Sequence, residues 1–497
     1  MNMKFSRKYR LVLALGAAIS LSSCSKWLDV SPKTQTREED QFSSAQGFID
    51  ALFGAYQQAA SDSLYGKELT FGALDVLAGR YENKASGAFY GDFARYNYTN
   101  VSSTTSSRMN AEATLEGIWS TAYATIAQCN YILKNIEAGR SMLGTVNYSV
   151  IKGEAIALRA FLHFDLLRMY APAYLDGANA AVNAIPYMEQ FTVLPQEKRT
   201  VAAILDRCEQ ELLEAEQLLS VHTDIDQIAG NQGSVSIDLF LMYRQNHLNY
   251  WAVKGALARL YLYKGDKPQA LKYAKEVIES GKFRFMTVAE LGVDPGTTAS
   301  DITFTPEHIF SVYKSDLRRL AEDLFKPSAD NREDNRDLYS TVTKVNNMYE
   351  TSVPGYGTDM RIPAASKPIW SASTAGGWIY TRKYYADNQN NVKQRVMPVM
   401  RLPEMYYIAA EAAALPADGL AYLNEVRTAR GLPVLTDAAT LDVELQKEYR
   451  KEFYGEGQFW FYLKRRNVTT VPDGVGNPMT EAKYTFPLPL VEIEFGK

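Results

Sequence analysis

The stretch from Arg401 to Arg466 constrains the fold more than any other part of the chain. In RLPEMYYIAAEAAAL, the residues Leu402, Met405, Tyr406, Ala409 and Ala412 recur at three- and four-residue steps, which places them on one face of a helix. Pro416 opens a second helix with Leu420, Leu423 and Val426 on its apolar face, and Gly431 followed by Pro433 supplies the stop chemistry. A third helix, roughly Leu441 to Tyr454, carries Leu445, Tyr449 and Phe453 at four-residue spacing, with Glu448 and Lys451 set to pair on its wet side. Gly455 and Gly457 break it ahead of the aromatic run Phe459, Trp460, Phe461 and Tyr462.

Helical patterning recurs upstream. Phe48, Ala51, Leu52, Ala55 and Tyr56 mark a first helix, and the pattern returns from Ala111 to Ala138 and again in IKGEAIALRAFLHFDLLRMYAP. Residues 201 to 219 form an acidic amphipathic helix with Val201, Ile204, Leu205, Cys208, Leu212, Ala215 and Leu219 on one stripe. In WAVKGALARLYLYKGDKPQALKYAKEVIESG, the residues Ala258, Tyr261, Gly265 and Ala270 fall at tetratricopeptide spacing, with Ala274 in place of the usual second-helix aromatic. Two stretches lose the periodicity. Residues 64 to 107 are rich in Gly, Asn, Ser and Tyr and read as long surface loops, which are uncommon in compact domains unless functional. Residues 283 to 400 form a second irregular insert, with β-like runs in HIFSVY and GGWIYTRKYY. The reading is a mostly α chain of helix pairs with two long inserts and a few short strands, in a single domain over residues 24–497.

Residues 1–23 have the order of a secretion signal. Lys4, Arg7, Lys8 and Arg10 precede an apolar core from Leu11 to Leu21 that is too short to span a membrane. The run ends LSSC, the pattern of a bacterial lipobox, which makes Cys24 the expected acylated N-terminus. The whole chain has 53 basic and 57 acidic residues; taking the leader's four basic residues from 53 leaves 49 against 57, a net charge of −8. No basic stripe remains, which argues against nucleic acid as a partner. Lys464, Arg465 and Arg466 are the densest basic spot and read as a solvated helix end. Cys129 and Cys208 fall on or beside apolar helix faces and read as buried inert thiols.

The order of residues in RLPEMYYIAAEA, LNEVRTARGLP and LQKEYRKEFYGEGQFWFYLKRRN resembles the C-terminal signature of the SusD/RagB family, the surface nutrient-binding lipoproteins of Bacteroidetes. Glu448, Glu452, Glu456, Gly457, Leu463 and Arg465 match that signature. Tyr449, Phe459 and Tyr462 depart from it, each placing an aromatic where the family commonly has Arg, Arg and Asp. Leu28, Asp29 and Pro32 after the lipobox, Arg159, Ala160 and Phe161, and the closing Pro-Leu-Pro of YTFPLPLVEIEFGK carry the resemblance along nearly the whole mature chain.

Motifs of catalysis are missing. The sequence has no His-Glu-x-x-His, Gly-x-Ser-x-Gly, Walker A or Gly-x-Gly-x-x-Gly, and its four histidines, at 163, 222, 247 and 308, show no metal-ligand spacing. Gly355-Tyr-Gly357 and Gly455-Glu-Gly457 read as turns. Glu452 and Glu456 lie one helical turn apart, as an acid and base pair would, yet they sit within the segment whose charges the resemblance marks as structural. No catalytic residue, metal or cofactor is therefore assigned, and the chain reads as a binding protein and not an enzyme.

What the resemblance implies is capture of a nutrient, an oligosaccharide or alternatively a peptide as in RagB-type members. Delivery would go to a SusC-like TonB-dependent transporter, with the protein held at the cell surface on the outer membrane by its lipid. A tetratricopeptide-type adaptor is the competing reading from the helices alone, but a pure adaptor has no use for long aromatic inserts. The family holds ligands with aromatic and polar side chains on loops over the helical scaffold. The matching regions here supply Arg80, Tyr81 and Tyr90 from the first insert and Trp370, Trp378 and Tyr380 from the second, with Gly376 and Gly377 able to present the Trp378 ring at the surface.

Overall fold

The computed structural model describes residues 38–82, 88–98, 106–225, 239–292, 300–326, 336–363, 368–372, 377–385, 392–475 and 477–497. Residues 1–23, expected to be a secretion signal, and Cys24 lie outside them.

Helix α1, Ala45–Ala59, begins where the Ser44 hydroxyl accepts from the Gly47 amide at 3.2 Å, and it buries Phe48, Leu52, Ala55, Tyr56 and Ala59. Helix α2 runs over Ser106–Tyr170 and is interrupted at Gly144, whose φ of 69° suits a residue without a Cβ. The two helices read from the sequence are thus the two halves of this element. Helix α3, Val201–Leu219, is capped by Thr200 and buries the whole stripe from Val201 to Leu219 read from its sequence. It also buries Glu211, which Arg159 of α2 holds at 2.7 Å. Helices α4, Tyr250–Lys264, and α5, Lys267–Glu279, form the tetratricopeptide-like pair. The chain reverses between them at Gly265, with φ 78°, and Asp266 caps α5 by accepting from the Gln269 amide. After the second insert come α6, Leu402–Ala412, α7, Pro416–Ala429, α8, Leu441–Glu452, and α9, Gln458–Arg465. From α1 to α7 each helix packs on the next in sequence order, α6 taking its place against α5. One contiguous apolar core extends from Phe48 to Phe486.

The strands are short and antiparallel. β1, Asn183–Pro186, pairs with β2, Lys198–Thr200. β3, His308–Tyr313, is the whole HIFSVY run, and it pairs with β7, Val396–Arg401, in a register that sets His308 opposite Arg401. β4, Ser340–Thr341, β5, Trp370–Ala372, and β6, Trp378–Thr381, form a sheet with β6 in the middle.

The two thiols are buried as the sequence implied, and His163 is satisfied inside the core. Cys129 and Cys208 are buried free thiols, and burial pushes Cys129 up to about 12. His163 is buried, with Nδ1 at 2.9 Å from the Arg159 carbonyl, Nε2 accepting from the Met188 amide at 3.0 Å and its ring stacked on Tyr187. Burial lowers its pKa to about 3, so it stays neutral in the folded protein.

Three expectations are corrected. The described part of 64–107 is largely buried, not a set of surface loops, and each of its tyrosine hydroxyls is spent inside: Tyr65 on Asp165 at 2.8 Å, Tyr81 on the Phe71 carbonyl at 2.9 Å, Tyr90 on Glu68 at 3.0 Å, Tyr96 on the Leu77 carbonyl at 2.6 Å and Tyr98 on the Lys483 carbonyl. Asp75 in this segment accepts from the Gly455 and Gly457 amides at 2.5 and 3.0 Å, which pins the insert to the turn between α8 and α9. Glu448 and Lys451 do pair, at 3.2 Å, but in the interior instead of on a wet face, because Glu350 reaches Lys451 from the second insert at 2.7 Å. Lys464 is buried where a solvated end was expected, since its ammonium donates to the Met169 and Ala171 carbonyls and closes the C-terminus of α2. Beside it Arg465 grips Glu411 with two bonds of 2.6 Å.

The matched signature carboxylates Glu448, Glu452 and Glu456 belong to a buried ion lattice. Arg430 holds both oxygens of Glu307, at 2.8 and 2.7 Å, and both of Glu452, at 2.9 and 2.7 Å. Arg401 joins Glu307 at 2.8 Å, Glu452 at 2.7 Å and Glu456 at 2.9 Å. Arg361 joins Asp359 at 2.8 Å, Glu448 at 3.0 Å and Glu452 at 2.7 Å, while Arg427 takes Glu448 at 2.8 Å and Lys383 pairs with Glu456. Burial would raise the Glu452 pKa, but Arg430, Arg401 and Arg361 hold it well below the usual carboxylate range; Glu448 is lowered in the same way against its own burial by Arg361, Lys451 and Arg427.

Replacing Glu452 by Gln is expected to cost about 3–5 kcal/mol, measured by urea denaturation, because it leaves buried guanidinium groups undercompensated. The wild-type contribution of these depressed carboxylates is complete above their unfolded pKa of about 4.3 and is lost as pH falls through the lower folded values. The melting temperature of the wild type should therefore fall steeply below that pH, and less steeply in the Glu452→Gln variant.

Candidate functional site

The two inserts meet at one face of the molecule. The Glu82 amide donates to the Tyr339 carbonyl at 2.8 Å, and Lys344 pairs with Glu82 at 2.9 Å. The β4–β6 register sets Thr341 opposite Trp378, which brings the half-buried Trp378 ring to 4.3 Å from the half-buried Tyr339 ring in an edge contact of 62°. On the side of the first insert, Phe89 is also half-buried, its ring 4.8 Å from Tyr90 and covered by the guanidinium of the exposed Arg336 at 5.3 Å. Trp378 and Tyr339 thus form a ring pair on the segments that carry the Glu82–Lys344 ion pair, and Phe89 forms a second ring surface under Arg336, three residues ahead of Tyr339. Such a mixture offers stacking faces together with hydrogen-bonding edges, which suits a hydroxyl-rich ligand.

Of the residues singled out from sequence, Trp378 alone combines a half-buried ring with this surface. Gly377 before it has φ 70°, the left-handed conformation that suits a glycine. The other five lie beneath. Arg80 is 2% exposed, its guanidinium 4.6 Å from the Phe459 ring and 5.6 Å from Tyr454, with Nη1 3.4 Å from the Met348 sulfur. Tyr81 and Trp370 also close on Tyr454, at 5.8 and 4.9 Å between ring centroids, and the Trp370 indole donates to the Arg361 carbonyl at 2.8 Å. Tyr380 is buried 6.2 Å from Tyr339, and Tyr90 is buried against Glu68, so burial and that carboxylate push its hydroxyl well above the ordinary tyrosine range. The structure thus brings together Arg80, Tyr81 and Trp370, but as a layer packed on Tyr454 under the surface. Phe89, Tyr339 and Arg336 escaped the sequence reading. Phe89 stands beside Tyr90, and the order Tyr339, Thr341 at the edge of an irregular run is a strand signal of only three residues.

The carboxylates Glu452 and Glu456 offer no acid and base pair. Both are taken up by Arg401, and Glu452 also by Arg430 and Arg361. Among the described residues, no group of three His, Cys, Asp or Glu side chains is placed to hold a metal, and no helix is long and apolar enough to cross a membrane.

A family model described as starch-binding associating with outer membrane matches residues 26–229, and the SusD family model matches residues 294–487. The chain belongs to the SusD/RagB family. Its fold is shared with solved SusD-family structures. A SusD superfamily protein from Bacteroides thetaiotaomicron is 20% identical with a TM-score of 0.67, over 91% of this chain and 98% of the other. A SusD superfamily protein from Bacteroides vulgatus is 21% identical with a TM-score of 0.65, over 91% and 97%. A SusD-like carbohydrate binding protein from Bacteroides vulgatus is 17% identical with a TM-score of 0.64, over 91% and 96%. No curated protein matches the chain. The three aromatics at which this SusD-family chain departs from the signature are packed together: Tyr449 stacks on Tyr462 at 4.4 Å and Phe459 lies parallel to Tyr462 at 6.0 Å.

The two tryptophans are expected to behave differently on truncation. Trp370→Ala removes a core ring and should cost about 3–5 kcal/mol in denaturant titration. Trp378→Ala should cost clearly less, because part of its ring already faces water.

Proposed function

We propose that this chain is a lipid-anchored protein of the outer membrane that captures an oligosaccharide at the Phe89, Tyr339 and Trp378 face and passes it to a SusC-like TonB-dependent transporter. The observation that carries the reading is the coincidence of family and surface. Both halves of the chain match the family, one through a model described as starch-binding, and the aromatic face is assembled from the two inserts that stand outside the helical scaffold. The lipobox ending in Cys24 supports anchoring, and a tether keeps the protein at high effective concentration near a membrane partner even when their direct contact is modest. Capture in this reading is stacking and hydrogen bonding without bond cleavage.

Stacking rings contribute roughly 0.5–1.5 kcal/mol each beyond their buried area, so binding at a shallow face is weak and each ring matters. Trp378→Ala is expected to weaken the cognate oligosaccharide by up to about tenfold in calorimetry. Unchanged affinity in a folded variant would place the site elsewhere, and binding of peptides with no response to any glycan would reassign the ligand class.

Anchoring is tested separately. Cys24→Ala should leave unprocessed precursor or release soluble protein in membrane fractionation, and detergent pull-down of the wild type from its native cells should recover a large TonB-dependent barrel. Normal membrane retention of the Cys24 variant, or repeated failure to recover a barrel, defeats the corresponding half of the reading.

A further inference from the structure

A hollow of about 310 Å³ lies on α2, between the segment 187–197 that joins β1 to β2 and the short helix Leu490–Phe495. Its walls include Trp119, Tyr123, Val193, Leu194, Val491 and Phe495. Four of these face water: Val193 is 97% exposed, Phe495 69%, Leu194 66% and Val491 57%. Apolar surface gathered around a concavity marks a contact made with something else. The polar groups of the lining are largely spent already. The Tyr123 hydroxyl donates to the Pro186 carbonyl at 2.7 Å, the Asn130 amide donates to the Met188 carbonyl at 2.9 Å, and the Glu492 carboxylate stands 3.2 Å from the Lys198 ammonium. What fills the hollow is therefore apolar.

The described chain begins beside it. The ring of Phe42, just ahead of α1, lies 4.9 Å from Tyr131, and Tyr131 lies 4.9 Å from Phe191. Tyr131 follows Ala127 and Asn130 of the hollow on α2, and Phe191 stands between Gln190 and Thr192 of its wall. Residues 25–37 lie outside the described residues, and their sequence carries three large apolar side chains, Trp27, Leu28 and Val30, in an otherwise polar run. From Trp27 to Glu38 the chain can extend over about 36 Å. From Tyr131 to Trp119, at the far end of the hollow, is about 18 Å along α2. The segment thus reaches all of it. Size agrees as well, since a cavity of about 150 Å³ holds benzene and one of about 310 Å³ takes an indole with a branched aliphatic chain beside it.

Tethering decides between occupants of the same chemistry. A segment on a short chain meets its site at an effective concentration in the millimolar range, which a second copy of the protein or a free apolar molecule matches only when supplied at that level.

We propose that residues 26–30, through Trp27 and Leu28, dock in this hollow as an intramolecular strap. Cys24 is three residues before Trp27, a reach of about 10 Å, so the strap holds the N-terminal cysteine against this face. On the lipid-anchored reading, on which this consequence rests, the face around Val193 and Phe495 is turned to the membrane and the orientation of the protein on the outer membrane is set.

Disulfide trapping tests the docking in the mature chain carrying Cys24→Ser. Leu28→Cys with Val491→Cys should close a bridge within one molecule under mild oxidation, at a rate independent of protein concentration. That rate should be about tenfold that of Leu28→Cys with Met142→Cys, since Met142 is exposed on α2 but does not line the hollow. Trp27→Ser with Leu28→Ser should empty the hollow, so that the uncharged apolar dye phenylnaphthylamine binds about tenfold more tightly than to the wild type. Ala127→Phe, which fills the floor, should abolish that gain. Equal rates at the two cysteine positions, bridges formed only between molecules, or dye binding that the serine pair leaves unchanged overturns the proposal. Both assays run without lipid, so their outcome is independent of the anchoring reading, which the Cys24→Ala fractionation tests.

Discussion

The buried ion lattice centred on Glu452 is the interaction on which the rest of the molecule depends. Five carboxylates, Glu307, Asp359, Glu448, Glu452 and Glu456, face six cations, Arg361, Lys383, Arg401, Arg427, Arg430 and Lys451, away from water. Each ion costs several kcal/mol to desolvate, and the attraction repays that cost only where geometry is good and every lone pair is used. The bidentate grip of Arg430 on two carboxylates meets that condition. Its value lies in specificity as much as in stability. Glu307, Asp359, Arg361 and Lys383 come from the second insert and the remainder from the signature, so irregular backbone is locked to helices by groups that tolerate no slippage.

The aromatic residues act at the next level. Tyr454, just past the end of α8, is the hub on which Arg80 and Tyr81 of one insert and Trp370 of the other converge. The candidate face is backed by the buried Tyr380 ring, 6.2 Å from Tyr339. A ligand stacking on Trp378 and Tyr339 would therefore press on a surface backed by buried rings and fixed ions, which favours a preformed site over one that must be ordered on binding.

Much of this was legible in the chain. The stripe of α3, the reversal at Gly265 and the β3 run were read to the residue, because amphipathic periodicity and turn chemistry are local properties. The family signature located the ion lattice through Glu448, Glu452 and Glu456. What escaped was non-local. Lys451 and Lys464 looked like surface charges until Glu350 and the Met169 and Ala171 carbonyls arrived from distant parts of the chain. The first insert lacks periodicity, so nothing in its sequence announces that its tyrosines are all spent inward. Trp370 and Trp378 sit on neighbouring strands with similar flanks, and Tyr454, far along the chain, decides that the first is core. The partners of Trp378 depended on a strand register that three residues cannot reveal.

The position of Glu307 ties the second insert to the signature. Its carboxylate is buried, and its guanidinium partners, Arg401 and Arg430, both follow it in sequence, the second by 123 residues. The helices from α1 to α5, by contrast, each meet a neighbour in sequence order. Among the described residues of the second insert, the Glu307 carboxylate accepts only from the Met286 amide, at 3.0 Å, so the charge of the buried group is compensated by the signature's arginines. The docking of the second insert and the pairing of the signature's arginines are thus one event in the folded protein, and neither is complete without the other.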